Sequence, residues 1–117
     1  MIKAKSIKLA FKSKQIMDRK NYRRGVGMII INNDGRFWLG KRIGTEAWQF
    51  PQGGIDKGEK VREAMYRELQ EETGLEKETV EILSISKRWL VYHIPHVFQR
   101  HNKKFDGAMQ KWYLLKL

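Results

Sequence analysis

The stretch from Gly53 to Leu75, GGIDKGEKVREAMYRELQEETGL, limits what this chain can fold into more than any other. It opens on paired glycines, carries no Gly or Pro from Glu59 to Thr73, and closes on Gly74. Its interior, with Ala64, Met65, Arg67, Glu68, Leu69, Gln70 and Glu71, is built from strong helix formers. Gly74 is placed to end the helix. Glu59 is expected in the first turn, where a carboxylate suits the positive end of the helix dipole. At about 100° per residue, Val61, Ala64, Met65 and Leu69 make one apolar stripe, and Glu68, Glu71 and Glu72 fall on the same side further along the axis. A solvated charge run would lie opposite that stripe. Carboxylates crowded on an inward face repel one another unless positive charge sits among them. A divalent cation such as Mg²⁺ or Mn²⁺ meets that need, because it takes oxygen ligands and keeps waters and phosphates in its shell. The competing reading is an exposed helix laced by Glu63–Arg67 and Arg67–Glu71 pairs at i,i+4.

The 117 residues suit one domain with one modest core. The absence of Cys excludes disulfides and fits a reducing compartment. No apolar run approaches the length needed to span a bilayer. A soluble, cytoplasmic protein with no membrane partner is expected. The formal charge is +11 and is unevenly spread, with nine Lys and Arg against Asp18 alone in residues 1–24. A basic surface around an acidic centre suits a polyanionic ligand and attracts nucleic acid through a salt-dependent, sequence-blind term. A merely Lys-rich segment is the alternative. Residues 1–20 show no period and read as a basic N-terminal extension, leaving 21–117 as the working domain.

Gly25 to Ile31 reads as a buried strand, Asn32-Asn33-Asp34-Gly35 as a hairpin turn, and Arg36 to Arg42 as the return strand. Arg42, at the strand end, is a candidate phosphate contact because a guanidinium forks phosphate oxygens; a solvated strand end is the alternative. Pro51 ends a short strand through Trp48, and Gly53-Gly54 let backbone approach a ligand closely. Val80 to Tyr92 reads as strand broken near Ser86, with Trp89 and Tyr92 as core aromatics. His93, His96 and His101 show no ligand spacing with the acids and read as loop residues. Ile94 to Ala108 is a basic loop holding Arg100, Lys103 and Lys104, and Gln110 to Leu117 is a final strand.

Gly53, Glu59, Arg67, Glu68, Leu69, Glu71, Glu72, Gly74 and Leu75 fit, without departure, the pattern G-x5-E-x7-R-E-U-x-E-E-x-G-U, where U is apolar. In this the chain resembles the Nudix hydrolases, and so many fixed positions in one register make the signal specific. The resemblance implies an α/β fold, the α/β/α sandwich around a mixed sheet, here lacking the usual C-terminal strand and helix. It implies hydrolysis of a nucleoside diphosphate linked to another group. It also implies that Glu68, Glu71, Glu72 and the carbonyl of Gly53 hold Mg²⁺ or Mn²⁺, with Arg67 and Glu59 orienting the acids.

The run Trp48 to Gly54, WQFPQGG, resembles the branch containing bacterial RNA 5′-pyrophosphohydrolases and dinucleoside polyphosphate hydrolases. Tyr22-Arg23 ahead of Val26-Gly27, Arg42, and Gln110-Lys111-Trp112 resemble the same branch. That likeness implies that Arg23 and Arg42 hold 5′ phosphates and that Gln52, Tyr92 and Lys111 contact substrate. The chain departs from the branch at Ala108-Met109, where Gln-Lys is usual. The first expectation is metal-dependent removal of pyrophosphate from triphosphorylated RNA, leaving a 5′-monophosphate. Hydrolysis of a dinucleoside polyphosphate is the close alternative, and turnover of free triphosphates a third. Of a different class is an RNA-binding or accessory protein that no longer catalyses. Relatives usually continue past the position of Leu117 into a strand and a long helix that adds an acidic ligand. The expectation is therefore a C-terminally short domain, with a protein partner covering the sheet surface that helix would cover.

Overall fold

The computed structural model describes residues 21–41, 43–44, 46–93 and 105–117. The expectations for residues 1–20, Arg42, His96, His101 and the basic residues of 94–104 lie outside the described residues. The sheet is organised by two long strands, β1 at Tyr22–Ile31 and β7 at Gly107–Lys116. They run parallel in register from Tyr22↔Gly107 to Ile31↔Lys116. A parallel pair needs a long crossover, and here the helix and the remaining strands supply it. β4, Gln52–Gly54, pairs antiparallel with the other side of β1. β5, Glu81–Ile85, and β6, Leu90–His93, pair antiparallel with β7. The order β4-β1-β7-β5 makes a mixed sheet, and β2, Gly40–Lys41, forms a separate ladder with β3, Trp48–Gln49.

Side chains alternate across a strand, so Val26, Met28 and Ile30 point to one face of β1 and Gly25 and Gly27 to the other. The first set joins Tyr113 and Leu115 of β7 against Ala64, Met65 and Leu69 of helix α1, Val61–Thr73. Met65 and Leu69 are fully buried, and each contributes about 1.5–3 kcal/mol by leaving water. The helix also protects the free edge of β4. Glu72 Oε2 accepts the Gln52 N–H at 3.1 Å, and Arg67 Nη2 donates to the Gly54 carbonyl at 2.7 Å. Those peptide groups face away from β1, where an unpaired strand edge would otherwise invite association. Among the described residues, no helix is long and apolar enough to cross a membrane.

Four expectations shift. His93 lies in β6, paired with Gly107, rather than in a loop. Glu59 lies ahead of the helix rather than in its first turn. Gly58, at φ 81°, turns the chain, and Glu59 N–H donates to Asp56 O at 2.9 Å while Asp56 N–H donates to Glu59 Oε1 at 3.0 Å. This local exchange holds the chain out of the helix until Val61. The stop at Gly74 is as expected, with φ 78° and its N–H on Gln70 O. The turn at Asn32–Gly35 forms, with Asn32 Oδ1 accepting from the Asp34 and Arg36 N–H groups. Its return segment is not one strand against β1: one bridge joins Ile31 to Phe37, and Gly40–Lys41 pairs with Trp48–Gln49 instead. The last strand starts at Gly107, not Gln110, and is central.

Candidate functional site

Arg67 is the hub of the acidic cluster, and all five of its guanidinium N–H groups are engaged. Nε donates to Glu59 Oε2 at 2.8 Å and Nη2 to Glu59 Oε1 at 2.9 Å. Nη1 donates to Glu68 Oε1 at 2.8 Å and Glu71 Oε2 at 3.2 Å, while Nη2 also reaches Gly54 O. Glu59 and Glu68 are 16% and 13% exposed at the side chain. The Arg67 hydrogen bonds hold the Glu59 carboxyl at a pKa of about 2, well below its ordinary value. Donating to the Glu59 and Glu68 carboxylates pushes the Arg67 guanidinium pKa upward in turn.

The three glutamates of the motif are placed differently. Glu68 lies on Gly53 so closely that a Cβ there would overlap its carboxylate. Glu72 spends one oxygen on the Gln52 N–H, and burial raises its pKa, with Glu68 and Glu71 adding to the rise and the Gln52 bond opposing it. Glu71 is 53% exposed at the side chain and drawn to Arg67. The expectation that all three acids share one inward surface is corrected to two at β4 and one at its rim. The reason is Arg67, which stands between Glu68 and Glu71 and supplies part of the positive charge that crowded acids need. Among the described residues, no three Asp, Glu or His side chains converge as a ready ligand set.

The donors present still fit a hard divalent cation. Glu68, Glu72 and the Gly53 carbonyl offer oxygen only, and Mg²⁺ is ordinarily held by one or two carboxylates while water and phosphate oxygens complete its shell. Glu72 carries the fit: its carboxylate is held at the β4 edge by the Gln52 N–H and meets no cationic side chain among the described residues.

On the other face of β1 and β4 lies an open cavity of about 410 Å³ lined by Arg23, Gly25, Gln49, Gln52, Gly53 and Gln110, with Ala108 at its side. Arg23 lies over Gly54, where a Cβ would meet its Nη2 at 2.8 Å. Gly53 joins the two halves: it lines the cavity and also packs on Glu68. Of the expected substrate contacts, Arg23 and Gln52 are therefore in the cavity. Tyr92 stands on β6 opposite Ala108, its hydroxyl beside the Trp112 indole, and burial raises its pKa.

Lys111 is not in the cavity. It alternates with Gln110 and Trp112 on β7 and so points to the helix side. Its Nζ donates to Lys87 O at 2.8 Å and Ser86 O at 3.3 Å and lies 5.5 Å from the Trp89 ring, over which Arg24 also sits at 4.9 Å. Lys111 thus pins the β5–β6 turn, and Trp89 is occupied by cations of the chain itself. Trp112 and Gln110 carry more of the site than the sequence reading assigned them. Trp112 Nε1 donates to Gln110 Oε1 at 3.2 Å, and Gln110 Nε2 donates to Gln52 Oε1 at 2.8 Å. Their even spacing on one strand was the available signal.

Comparison with known proteins gives a consistent result. The NUDIX domain model matches residues 21–114. An RNA pyrophosphohydrolase of Legionella pneumophila (strain Corby) is 51% identical over 104 residues, covering 87% of this chain and 59% of that protein. One of Vibrio atlanticus (strain LGP32) is 48% identical over 104 residues, covering 87% and 60%. The chain thus spans about three-fifths of the length of these curated relatives. Among solved structures, the C. elegans Ap4A hydrolase superposes with a TM-score of 0.61 at 26% identity, covering 82% of this chain and 68% of that one. The E. coli dihydroneopterin triphosphate pyrophosphohydrolase superposes with a TM-score of 0.67 at 22% identity, covering 84% and 71%, a likeness of fold.

Proposed function

The chain belongs to the NUDIX family, and on that premise we propose that it removes pyrophosphate from the 5′ end of triphosphorylated RNA, leaving a monophosphate. The observation that carries this reading is the narrow strand β4. Arg23 and Gln52 line a cavity on one side of it, and Glu68 and Glu72 meet it at Gly53 and Gln52 on the other. A phosphate chain held in the cavity would have its anhydride within one strand's width of the carboxylates. The relatives named RNA pyrophosphohydrolase at about half identity support the choice of RNA, as does the formal charge of +11. The absence of Cys suits work in the reducing cytoplasm.

Each residue then has a task. Arg23 forks the phosphate oxygens and fixes the chain in line. Glu68 and Glu72, with the Gly53 carbonyl, would hold Mg²⁺ or Mn²⁺. When bound, such an ion neutralises phosphoryl oxygens and acidifies a water. Glu72 Oε1, the oxygen not bonded to Gln52, is the candidate acceptor for the water's proton. Arg67 keeps Glu68 oriented and is itself held by Glu59.

A second reading, cleavage of a dinucleoside polyphosphate, draws on the likeness to the C. elegans Ap4A hydrolase. The test offers 5′-triphosphate RNA and diadenosine tetraphosphate separately, with Mg²⁺, to wild type and Glu72→Gln. Pyrophosphate released from RNA by wild type alone is the expected result. Preference for the dinucleotide reverses the order. RNA binding with no hydrolysis by either protein overturns both enzyme readings in favour of an accessory binder.

A further inference from the structure

The hydrogen bonds from Trp112 through Gln110 to Gln52 run in one direction only. An indole N–H donates and cannot accept, whereas a glutamine amide offers an oxygen at one end and two N–H donors at the other. The two ends of an amide are told apart by their partners. Trp112 Nε1, 3.2 Å away, therefore fixes the oxygen of Gln110 towards itself. That leaves Gln110 Nε2 to donate at 2.8 Å, which fixes the oxygen of Gln52 towards Gln110. Reversing either amide would set donor against donor in a part-buried place, and an unmade bond there costs more than a bond contributes. The Tyr92 hydroxyl beside the indole can accept from it as well, which leaves the direction unchanged.

The backbone makes this contact possible. Gln52 and Gln110 stand on strands either side of β1, opposite Gly27 and Gly25. With no side chains at those two positions, the glutamines meet across the intervening strand. Gly27 also seats the Trp112 ring, which a Cβ there would strike at 2.5 Å. The relay ends at the amide of Gln52, a residue that lines the same cavity as Arg23.

We propose that Trp112 and Gln110 are positioning residues that lock Gln52 with its amide nitrogen towards the cavity, so that the place beside Arg23 takes phosphate oxygens and refuses groups that must donate a hydrogen bond. The ligand class rests on the function proposed above; the direction of the relay does not.

Binding of magnesium pyrophosphate to the whole chain by titration calorimetry tests it, in a cycle of wild type, Trp112→Phe, Gln52→Met and the double variant. Trp112→Phe keeps an aromatic ring on Gly27 but removes the donor. The expected result is pyrophosphate affinity lower by about 3- to 10-fold in Trp112→Phe, and no further loss when the same change is made in Gln52→Met. Gln110→Met, which breaks the relay at its middle, shows the same pattern. An equal loss in both backgrounds assigns Trp112 to packing alone and overturns the proposal, as does unchanged affinity or no pyrophosphate binding by wild type. Hydrolysis is not read in this cycle. A chain that shows the coupling yet releases no phosphate from RNA sustains the relay and overturns the proposed activity.

Discussion

Replacing Gly53 by alanine separates the site from the fold. Gly53 does not use the left-handed region, so alanine suits its backbone, and the stiffer unfolded chain stabilises the protein by about 0.4–1 kcal/mol. The new methyl group lands on the Glu68 carboxylate, which must withdraw by roughly 1 Å or more and so leave its place beside the strand. Withdrawal strains or breaks its 2.8 Å bond to Arg67, a loss of about 1 kcal/mol for a partly screened charged hydrogen bond. The two effects nearly cancel, and Tm should move by no more than a few degrees. Catalysis has no such compensation. A displacement of about 1 Å in a positioned group costs on the order of 100-fold in rate, or roughly 2.7 kcal/mol of barrier. The assay is pyrophosphate release from 5′-triphosphate RNA with Mg²⁺, run beside thermal unfolding. Activity within about twofold of wild type would show that Glu68 does not work from its place against Gly53, as would loss of activity that merely follows unfolding.

Arg67→Lys should lower both Tm and activity, because one ammonium cannot span Glu59, Glu68, Glu71 and Gly54 O as the guanidinium does; thermal melts and phosphate release check it, and a neutral result counts against Arg67 as the hub. Gly27→Ala drives a methyl group into the Trp112 ring and should destabilise by about 1–3 kcal/mol in urea unfolding. Glu59 gives a pH dependence of known sign. Its folded pKa is depressed from 4.5 to about 2, so its contribution to stability is complete above the ordinary carboxylate range and is lost as pH falls through that interval. Urea midpoints measured between those limits should fall less steeply in Glu59→Gln than in wild type.

The helix was legible because its signals are local: a run of helix formers and a glycine stop. Its start was not, since the exchange of bonds between Asp56 and Glu59 holds the carboxylate ahead of the helix. Turn residues announced the bend at Asn32–Gly35 but not which partner Gly40–Lys41 would take, because short strands pair wherever the tertiary structure offers an edge. Parallel pairing of Tyr22–Ile31 with Gly107–Lys116 leaves no local trace. Motif residues predicted the acidic cluster, but a wheel of carboxylates alone understates Arg67, which lies in the same motif and moves Glu71 to the rim. Period-two alternation would have turned Lys111 away from Gln110 and Trp112. The relay to Gln52 depends on Gly25 and Gly27 falling between two glutamines, a register set by three strands.

Mn²⁺ binding followed by electron paramagnetic resonance, in wild type, Glu72→Gln and the exposed control Glu63→Gln, bears most directly on the metal site proposed at β4. Saturable binding in wild type and Glu63→Gln, weakened by at least about tenfold in Glu72→Gln, is the expected result. Equal binding by all three proteins, or none by wild type, would contradict it.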